Sequence, residues 1–508
     1  MQTVRRTIVL VMVLAVTACA GPAIRDDIPR PQPTYAKAPA ETGLLSEVAE
    51  QVANRHGPGN SGFHLLSASR DALLWRLALI DSAQSSLDIL TYLWYPDVSG
   101  NLVLERAILA AQRGVHVRLV VDDLMTIGQD QALANIQALP NVEIRLFNPW
   151  KNRNLGGRAG EIIAEMERLN TRMHDKLMIV DGHAVILGGR NIGDHYFGLN
   201  HNYNFRDLDV LAIGPVTADA NGMFDEFWNS EWVVTAAHLT TQPEPEEAAR
   251  AWQNLQLRSR EAPELSEFPR EPVDWSSELA ELATTLHPGT AELVYDSAES
   301  GKIDQSMIGE MFRLFESANE ELLITNAYII PGPPAIEFVE SLTERGVTVK
   351  ILTNSLASHD VPAVNSHYEP WRDDFISAGA ELFEMRHDPA IRSEIDVPPV
   401  SADFSGLHTK AAVIDSNIAF IGSMNLDPRS AAINTEMGAT IYSAGLASEV
   451  RDLMLQDMQG ENAWQVQLTG DGDLQWTNSD ETRSSQPTRG GMQNIMNVIF
   501  KVVPKEQY

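Results

Sequence analysis

Apolar residues recur along this chain with two alternating periods. Asp71–Ala83 and Asn101–Arg113 carry them at helical spacing, whereas Leu87–Trp94, Val115–Asp122 and Val142–Phe147 are short apolar runs that read as strands. The pattern returns later, with strands expected over Leu322–Ile329, Val347–Leu352 and Ala380–Met385. Strands alternating with helices predict an α/β sandwich, and the recurrence predicts two of them.

The recurrence is also one of residues. Ala83-Gln84-Ser85-Ser86-Leu87-Asp88-Ile89-Leu90 matches Ala318-Asn319-Glu320-Glu321-Leu322-Leu323-Ile324-Thr325 at an offset of 235. Arg113-Gly114-Val115-His116-Val117-Arg118-Leu119 matches Arg345-Gly346-Val347-Thr348-Val349-Lys350-Ile351 at 232, and His174-Asp175-Lys176 matches His408-Thr409-Lys410 at 234. Three matches at nearly one offset mark a tandem duplication. The boundaries expected are 61–240 for the first half, 241–288 for a Pro-, Glu- and Ser-rich linker insertion with one or two surface helices, and 289–460 for the second half. A C-terminal extension, 461–508, ends in an apolar stretch from Ile495 to Val503.

The N-terminus has a different pattern. Arg5 and Arg6 precede an apolar run, Ile8–Val16, that is too short to span a bilayer and suits a signal peptide. The run leads into Val16-Thr17-Ala18-Cys19, and Cys19 is the only cysteine. Residues 1–19 therefore read as a signal peptide with a lipobox, and 20–60 as a tether and amphipathic segment. Cys19 is the expected lipidation site, and an intrachain disulfide is excluded. The resemblance to bacterial lipoproteins implies a diacylglyceryl thioether and an N-acyl chain, enough for stable anchoring. It places the protein on a bacterial membrane facing the periplasm, with Ala20 leaning toward the outer membrane.

Charge narrows the partners. Acidic residues outnumber basic ones 69 to 38, a formal net charge of −31. No basic footprint for a nucleic-acid backbone is present, and long-range attraction does not draw the protein to an anionic membrane, so an anchor must hold it there.

The chemistry lies in a spacing found twice. His174, Lys176, Asp181, Gly188, Gly189 and Asn191 recur as His408, Lys410, Asp415, Gly422, Ser423 and Asn425. Each His and Lys, two apart on a strand, face one side, and a hairpin over Lys176–Leu187 or Lys410–Ile421 returns the Asn beside them. Singly, each residue has an ordinary structural reading; two full sets at the repeat offset do not. Related by a pseudo-two-fold axis, the halves would place two imidazoles, two ammoniums and two amides around one phosphate. That set suits phosphodiester transfer without a metal or other cofactor: one imidazole attacks phosphorus, the other serves the departing and incoming hydroxyls, and Lys and Asn hold the oxygens. Lys151, Arg153 and Arg158, a basic run ahead of the first motif, could meet a headgroup or form a solvated loop.

This doubled motif resembles the signature of the phospholipase D superfamily. Phe147-Asn148-Pro149-Trp150, Gly188-Gly189-Arg190-Asn191-Ile192-Gly193-Asp194, Phe224-Asp225-Glu226-Phe227-Trp228 and Asn425-Leu426-Asp427-Pro428-Arg429-Ser430 are similar to the bacterial cardiolipin synthase C-like phospholipase D family lipoproteins. The resemblance implies two homologous α/β sandwich halves packed around one active site, with His174 as nucleophile and His408 as general acid/base. It further implies an acid downstream of each Asn to hold the imidazole, which points to Glu436 and Asp207. Asp181 and Asp415 look like orienting turn residues. Asp175 and Thr409 depart from the family's usual Asn or Ala but should point away from the phosphate. The implied activity is transfer of a phosphatidyl group to phosphatidylglycerol, giving cardiolipin, with phosphatidylethanolamine as a known type of donor. The alternatives are a phospholipase D hydrolase releasing phosphatidic acid and a catalytically inactive membrane-associated binding lipoprotein.

Overall fold

The computed structural model describes residues 24–491, apart from 26, 127, 154 and 299–302, together with 493 and 497. Cys19, the signal segment and most of the apolar C-terminal stretch lie outside the described residues.

The first half runs α1 (Leu44–His56), β1 (Ser61–Leu66), α2 (Ser69–Ser82), β2 (Ser86–Thr91), α3 (Val98–Gln112), β3 (His116–Asp122), α4 (Asp130–Gln137), β4 (Val142–Phe147), α5 (Leu155–Asn170), β5 (Lys176–Val180), β6 (Ala184–Gly188), β7 (Tyr203–Arg206), β8 (Asp209–Ile213), α6 (Val216–Asn229) and β9 (Val233–Thr235). The linker forms α7 (Pro245–Glu261) and α8 (Ser276–Thr285). The second half runs β10 (His287–Tyr295), α9 (Met307–Glu316), β11 (Glu321–Asn326), α10 (Pro333–Glu344), β12 (Thr348–Asn354), α11 (Pro362–Tyr368), α12 (Arg372–Ser377), β13 (Glu381–Met385), α13 (Arg392–Ile395), β14 (Phe404–Leu407), β15 (Lys410–Ile414), β16 (Ile418–Gly422), α14 (Pro428–Ala432), β17 (Met437–Tyr442), α15 (Ala444–Asp457), β18 (Ala463–Leu468) and β19 (Leu474–Thr477).

Hydrogen bonding orders the first sheet β9-β4-β3-β2-β5-β6-β8-β1, and the second β10-β17-β16-β15-β11-β12-β13-β18-β19. The central orders are mirror-read copies: β4-β3-β2-β5-β6-β8-β1 corresponds to β13-β12-β11-β15-β16-β17-β10. Antiparallel pairing of Ser61–Phe63 with His287–Gly289 joins the sheets at β1 and β10, the pseudo-two-fold seam. This is the duplicated α/β architecture that the repeat predicts.

Strands buried on both faces are mostly apolar, as in β5, where Leu177, Met178, Ile179 and Val180 follow Lys176. The inner faces meet in one core: Leu177, Ile179, Val185 and Leu187 from the first sheet, Ala411, Val413, Ala419 and Ile421 from the second, and α6 and α15 between them. The outer faces are covered separately, by α1–α3 in one half and α9, α10 and α12 in the other.

Two predicted strands end early for an instructive reason. The run Leu87–Trp94 leaves the ladder after Thr91, because the Leu93 amide donates to the Asn191 side chain (3.1 Å) and the Tyr95 amide to the Ile192 carbonyl (2.9 Å). The run Leu322–Ile329 leaves after Asn326, where the Ile330 amide turns to Leu426 (2.8 Å). Hydrophobic periodicity continues through both departures, so the sequence pattern alone cannot see them.

Candidate active site

The site is built by two short crossings between halves. β14 pairs in parallel with β7, Leu407 opposite Arg206, so the next residues, His408 and Asp207, emerge side by side. Across the pseudo-axis Met173 pairs with Thr435, and His174 emerges beside Glu436. Main-chain bonds lock both crossings: the His174 amide donates to Thr435 (2.9 Å) and the His408 amide to Arg206 (2.8 Å).

Each imidazole is consequently held by the opposite half. His174 Nδ1 lies 2.8 Å from Glu436 Oε2, and His408 Nδ1 lies 2.6 Å from Asp207 Oδ2. With Nδ1–H donating to a carboxyl oxygen, Nε2 keeps its lone pair for chemistry. The repeat revealed the two acids but not this exchange, which depends on how the halves face each other.

Lys176 and Lys410 share the site, each ammonium donating to the carbonyl of its own histidine. Their ammoniums lie over the rings of Tyr92 (5.4 Å) and Tyr328 (5.7 Å). Asn191 has its Oδ1 occupied by Leu93 N–H, which directs the Nδ2 donors elsewhere, whereas Asn425 Oδ1 has no partner among the described residues. All six repeated groups are buried, and they act on one another: Lys176, Lys410 and His408 all press on His174. Both imidazoles therefore belong to one electrostatic cluster.

Burial decides the proton inventory. It pushes the Lys176 ammonium down to about 7, with Lys410 adding repulsion, and Lys410 down to about 8. Burial, then the neighbouring lysines, holds His174 well below the usual histidine range. Its partner Glu436 is pushed well up, again chiefly by burial, so burial opposes charge on both members of this pair. At the other crossing burial lowers His408, but Asp207 opposes that shift and is itself held low by His408 and Lys410. Asp207 thus stays ionised.

The remaining sequence candidates serve the frame. Asp181 (φ 54°) and Asp415 (φ 50°) turn the hairpins, and each carboxylate accepts from three successive main-chain amides, Gln84 to Ser86 and Asn319 to Glu321. Arg153 is not available to a headgroup, being committed to Asp130 and Asp123 inside the fold. Lys151 pairs with Glu165, and Arg158 lies over the Trp150 ring. Asp175 points away from the lysines' side, as expected, but is not idle. Its carboxyl accepts from the Thr435 hydroxyl, is pushed up to about 7 by burial, and adds to the upward push on Glu436.

Two contacts escaped the sequence reading. Ser423 Oγ donates to Glu436 Oε2 (2.6 Å). At the equivalent position Gly189 leaves room that Asp207 needs, since a Cβ there would stand 2.1 Å from Asp207 Oδ1. Asp360 is the second. Its carboxylate accepts from Tyr328 OH (2.8 and 2.7 Å) within reach of the His408 charge. The Gly/Ser alternation in the motif was a visible signal for the first; no spacing marks the second.

Among the described residues no group of three or more His, Cys, Asp or Glu is placed to hold a metal ion, and no helix is long and apolar enough to cross a membrane.

Comparison with known proteins follows the same duplication. A family model described as cardiolipin synthase, PLD-like domain, matches residues 77–228 and again 311–458. The chain is 34% identical over 476 residues to cardiolipin synthase C of Escherichia coli K12, spanning 91% of this chain and 99% of that protein. It is 22% identical over 373 residues to cardiolipin synthase B of Shigella flexneri, covering 73% and 74% respectively. Among solved structures, phosphatidylserine synthase of Haemophilus influenzae Rd KW20 shares the fold, with a TM-score of 0.55, 14% identity, and coverage of 82% of this chain and 91% of that one.

Proposed function

Because the chain belongs to the cardiolipin synthase, PLD-like domain family of the phospholipase D superfamily, we propose that it is a phosphatidyltransferase that joins a phospholipid donor to phosphatidylglycerol through a phosphohistidine. The observation that carries this reading is the crossed pair of histidine–carboxyl contacts, His174–Glu436 and His408–Asp207, in one buried cluster with two lysines.

In the proposed sequence, the donor's phosphate enters between the halves, and its non-bridging oxygens meet Lys176, Lys410, Asn191 and Asn425. Neutral His174 attacks phosphorus with the Nε2 lone pair. The P–O bond to the headgroup breaks, and the departing oxygen takes a proton from His408. The incoming phosphate anion raises His408 toward the protonated state needed for that transfer, with ionised Asp207 supporting the charge. In the second half-reaction His408, now neutral, takes the proton of the phosphatidylglycerol hydroxyl. That oxygen forms the new P–O bond, and the P–N bond to His174 breaks. Cardiolipin leaves with the site restored.

The site is enclosed, His174 and His408 being 7% and 5% exposed, which favours a positioned alcohol over bulk water as acceptor. Purified protein incubated with phosphatidylglycerol vesicles, with and without phosphatidylethanolamine, should yield cardiolipin. Phosphatidic acid as sole product would convert the reading to a hydrolase; no lipid turnover at all would leave only the inactive binding lipoprotein. Anchoring through a lipidated Cys19, facing the periplasm, belongs to the same proposal and rests on the lipobox alone. Cys19→Ser should move the protein from the membrane to the soluble fraction, and unchanged fractionation would refute the anchor.

A further inference from the structure

The two halves differ in how they close their outer layer. In the first, α2 and α3 pack directly on each other, with Leu73, Leu77, Leu102 and Val103 fully buried. In the second, the equivalent helices α9 and α10 stand apart, and a cavity of about 330 Å³ opens between them and the sheet. Phe312 and Phe338, one from each helix, meet edge to face across it at 5.1 Å. Ile329, Ile330, Leu426 and Pro428 line part of its wall. Among the described residues one ionisable side chain borders it, Asp427, and its carboxylate is turned to cap α14 through the Ser430 amide (2.8 Å).

Residues of this cavity's wall directly follow residues of the site: Ile329 comes after Tyr328, whose ring lies against the Lys410 ammonium. Leu426, in its wall, directly follows Asn425, and the Ile330 amide is bonded to the Leu426 carbonyl (2.8 Å). The rim residues Ile308, Phe338 and Leu426 are half-buried, so the space is open to entry from outside. An apolar void of this size weakens a fold that leaves it empty, and its volume is that of a ligand site. Water has too few polar partners there to fill it. A cavity of about 300 Å³ beside α4 and α7 carries Asn101, Gln129, Asn135, Asn254 and Arg258 on its walls, and two of about 500 and 440 Å³ are bordered by Asp81, Arg113 and Asp274 and by Lys350 and Glu381, all poorer fits to hydrocarbon.

We propose that the cavity between α9 and α10 receives an acyl chain of the phospholipid whose phosphate occupies the catalytic centre. The inference rests on the phosphatidyltransferase reading, in which the substrate is a glycerophospholipid carrying its phosphate and its hydrocarbon chains a few atoms apart. It adds that the second half measures chain length while both halves perform chemistry.

Two opposed variants test it. Ala335→Phe fills the cavity and Phe338→Ala enlarges it. With dioleoyl and dihexanoyl phosphatidylglycerol in mixed micelles, Ala335→Phe should lower the dioleoyl-to-dihexanoyl ratio of kcat/KM by about tenfold or more. Phe338→Ala should shift preference toward bulkier chains. Independently of turnover, phosphatidylglycerol with a diazirine at the end of one acyl chain should label peptides containing Phe312 or Phe338 in the unsubstituted protein. Unchanged ratios in folded variants, or label confined to the α4–α7 cavity or to the outer surface, would overturn the proposal. Loss of turnover of both lipids by the unsubstituted protein would instead strike the catalytic reading, while the label would still report on the pocket.

Discussion

The crossing at His174 and the crossing at His408 use the same main-chain design with different acids. Glu436 is joined by the Ser423 hydroxyl, has one oxygen without a partner among the described residues, and is pushed toward its neutral form by burial and by Asp175. Asp207 sits against Gly189, accepts from the Leu208 amide (2.8 Å) and stays ionised. A duplicated fold thus carries on one side a pair in which burial opposes both charges, and on the other a carboxylate held in its ionised form. The difference matches the proposed roles: a nucleophile must keep its lone pair, whereas an acid–base group needs a partner that stabilises its protonated form.

The largest effects should come from the imidazoles. His174→Ala and His408→Ala should each lower kcat by about 10⁴-fold or more with natural lipid. The comparison sharpens with a p-nitrophenyl phosphatidyl ester, whose leaving group needs no proton. His408→Ala should then release a burst of p-nitrophenol in stopped-flow absorbance, and His174→Ala should release none. Equal behaviour of the two variants would erase the proposed division of labour.

The acids should differ next. Asp207→Asn removes a charge that supports protonated His408 and should cost about 10²–10⁴-fold in kcat. Glu436 is pushed toward its neutral form, and the amide of Glu436→Gln can still accept from His174, so a loss of about tenfold or less is expected. Steady-state rates that reverse this order would show that Glu436 is the ionised partner.

Asp175 gives a smaller effect, read in stability. Its native value of about 7 exceeds the unfolded carboxyl's 3.8, so the native state binds more protons between those limits and loses stability as pH rises through them. Asp175→Asn has no such dependence. Its advantage over the parent protein in denaturant unfolding should be absent below pH 4, grow up to pH 7 and then level off at about 4 kcal/mol. A difference independent of pH would mean that Asp175 does not titrate in this window. The hairpin turns rank last: Asp181→Ala, at a buried turn, should destabilise by about 1–3 kcal/mol. Asp415→Ala should cost less, because its amide partners Asn319 and Glu320 are exposed to water.

Much of this was readable from residue order. The duplication, the α/β alternation and the membership of His174, Lys176, Asn191, His408, Lys410 and Asn425 in one set all follow from periods and offsets, since local pattern encodes them. Three features did not. The exchange of acids between halves depends on the Leu407–Arg206 and Met173–Thr435 pairings, which join residues 201 and 262 positions apart and leave no period. The commitment of Arg153 to Asp123 and Asp130 is a tertiary event that made a basic run look available. The gap between α9 and α10 arises because two amphipathic helices, each ordinary in sequence, stand apart in space.

The most direct test is to stop the reaction with labelled donor lipid within milliseconds and locate the acid-labile phosphoryl adduct by peptide mass spectrometry. The adduct should sit on His174 alone, and it should persist in His408→Ala when the leaving group needs no proton. An adduct on His408, or one that still forms in His174→Ala, would contradict the assignment of the Glu436 crossing to the nucleophile.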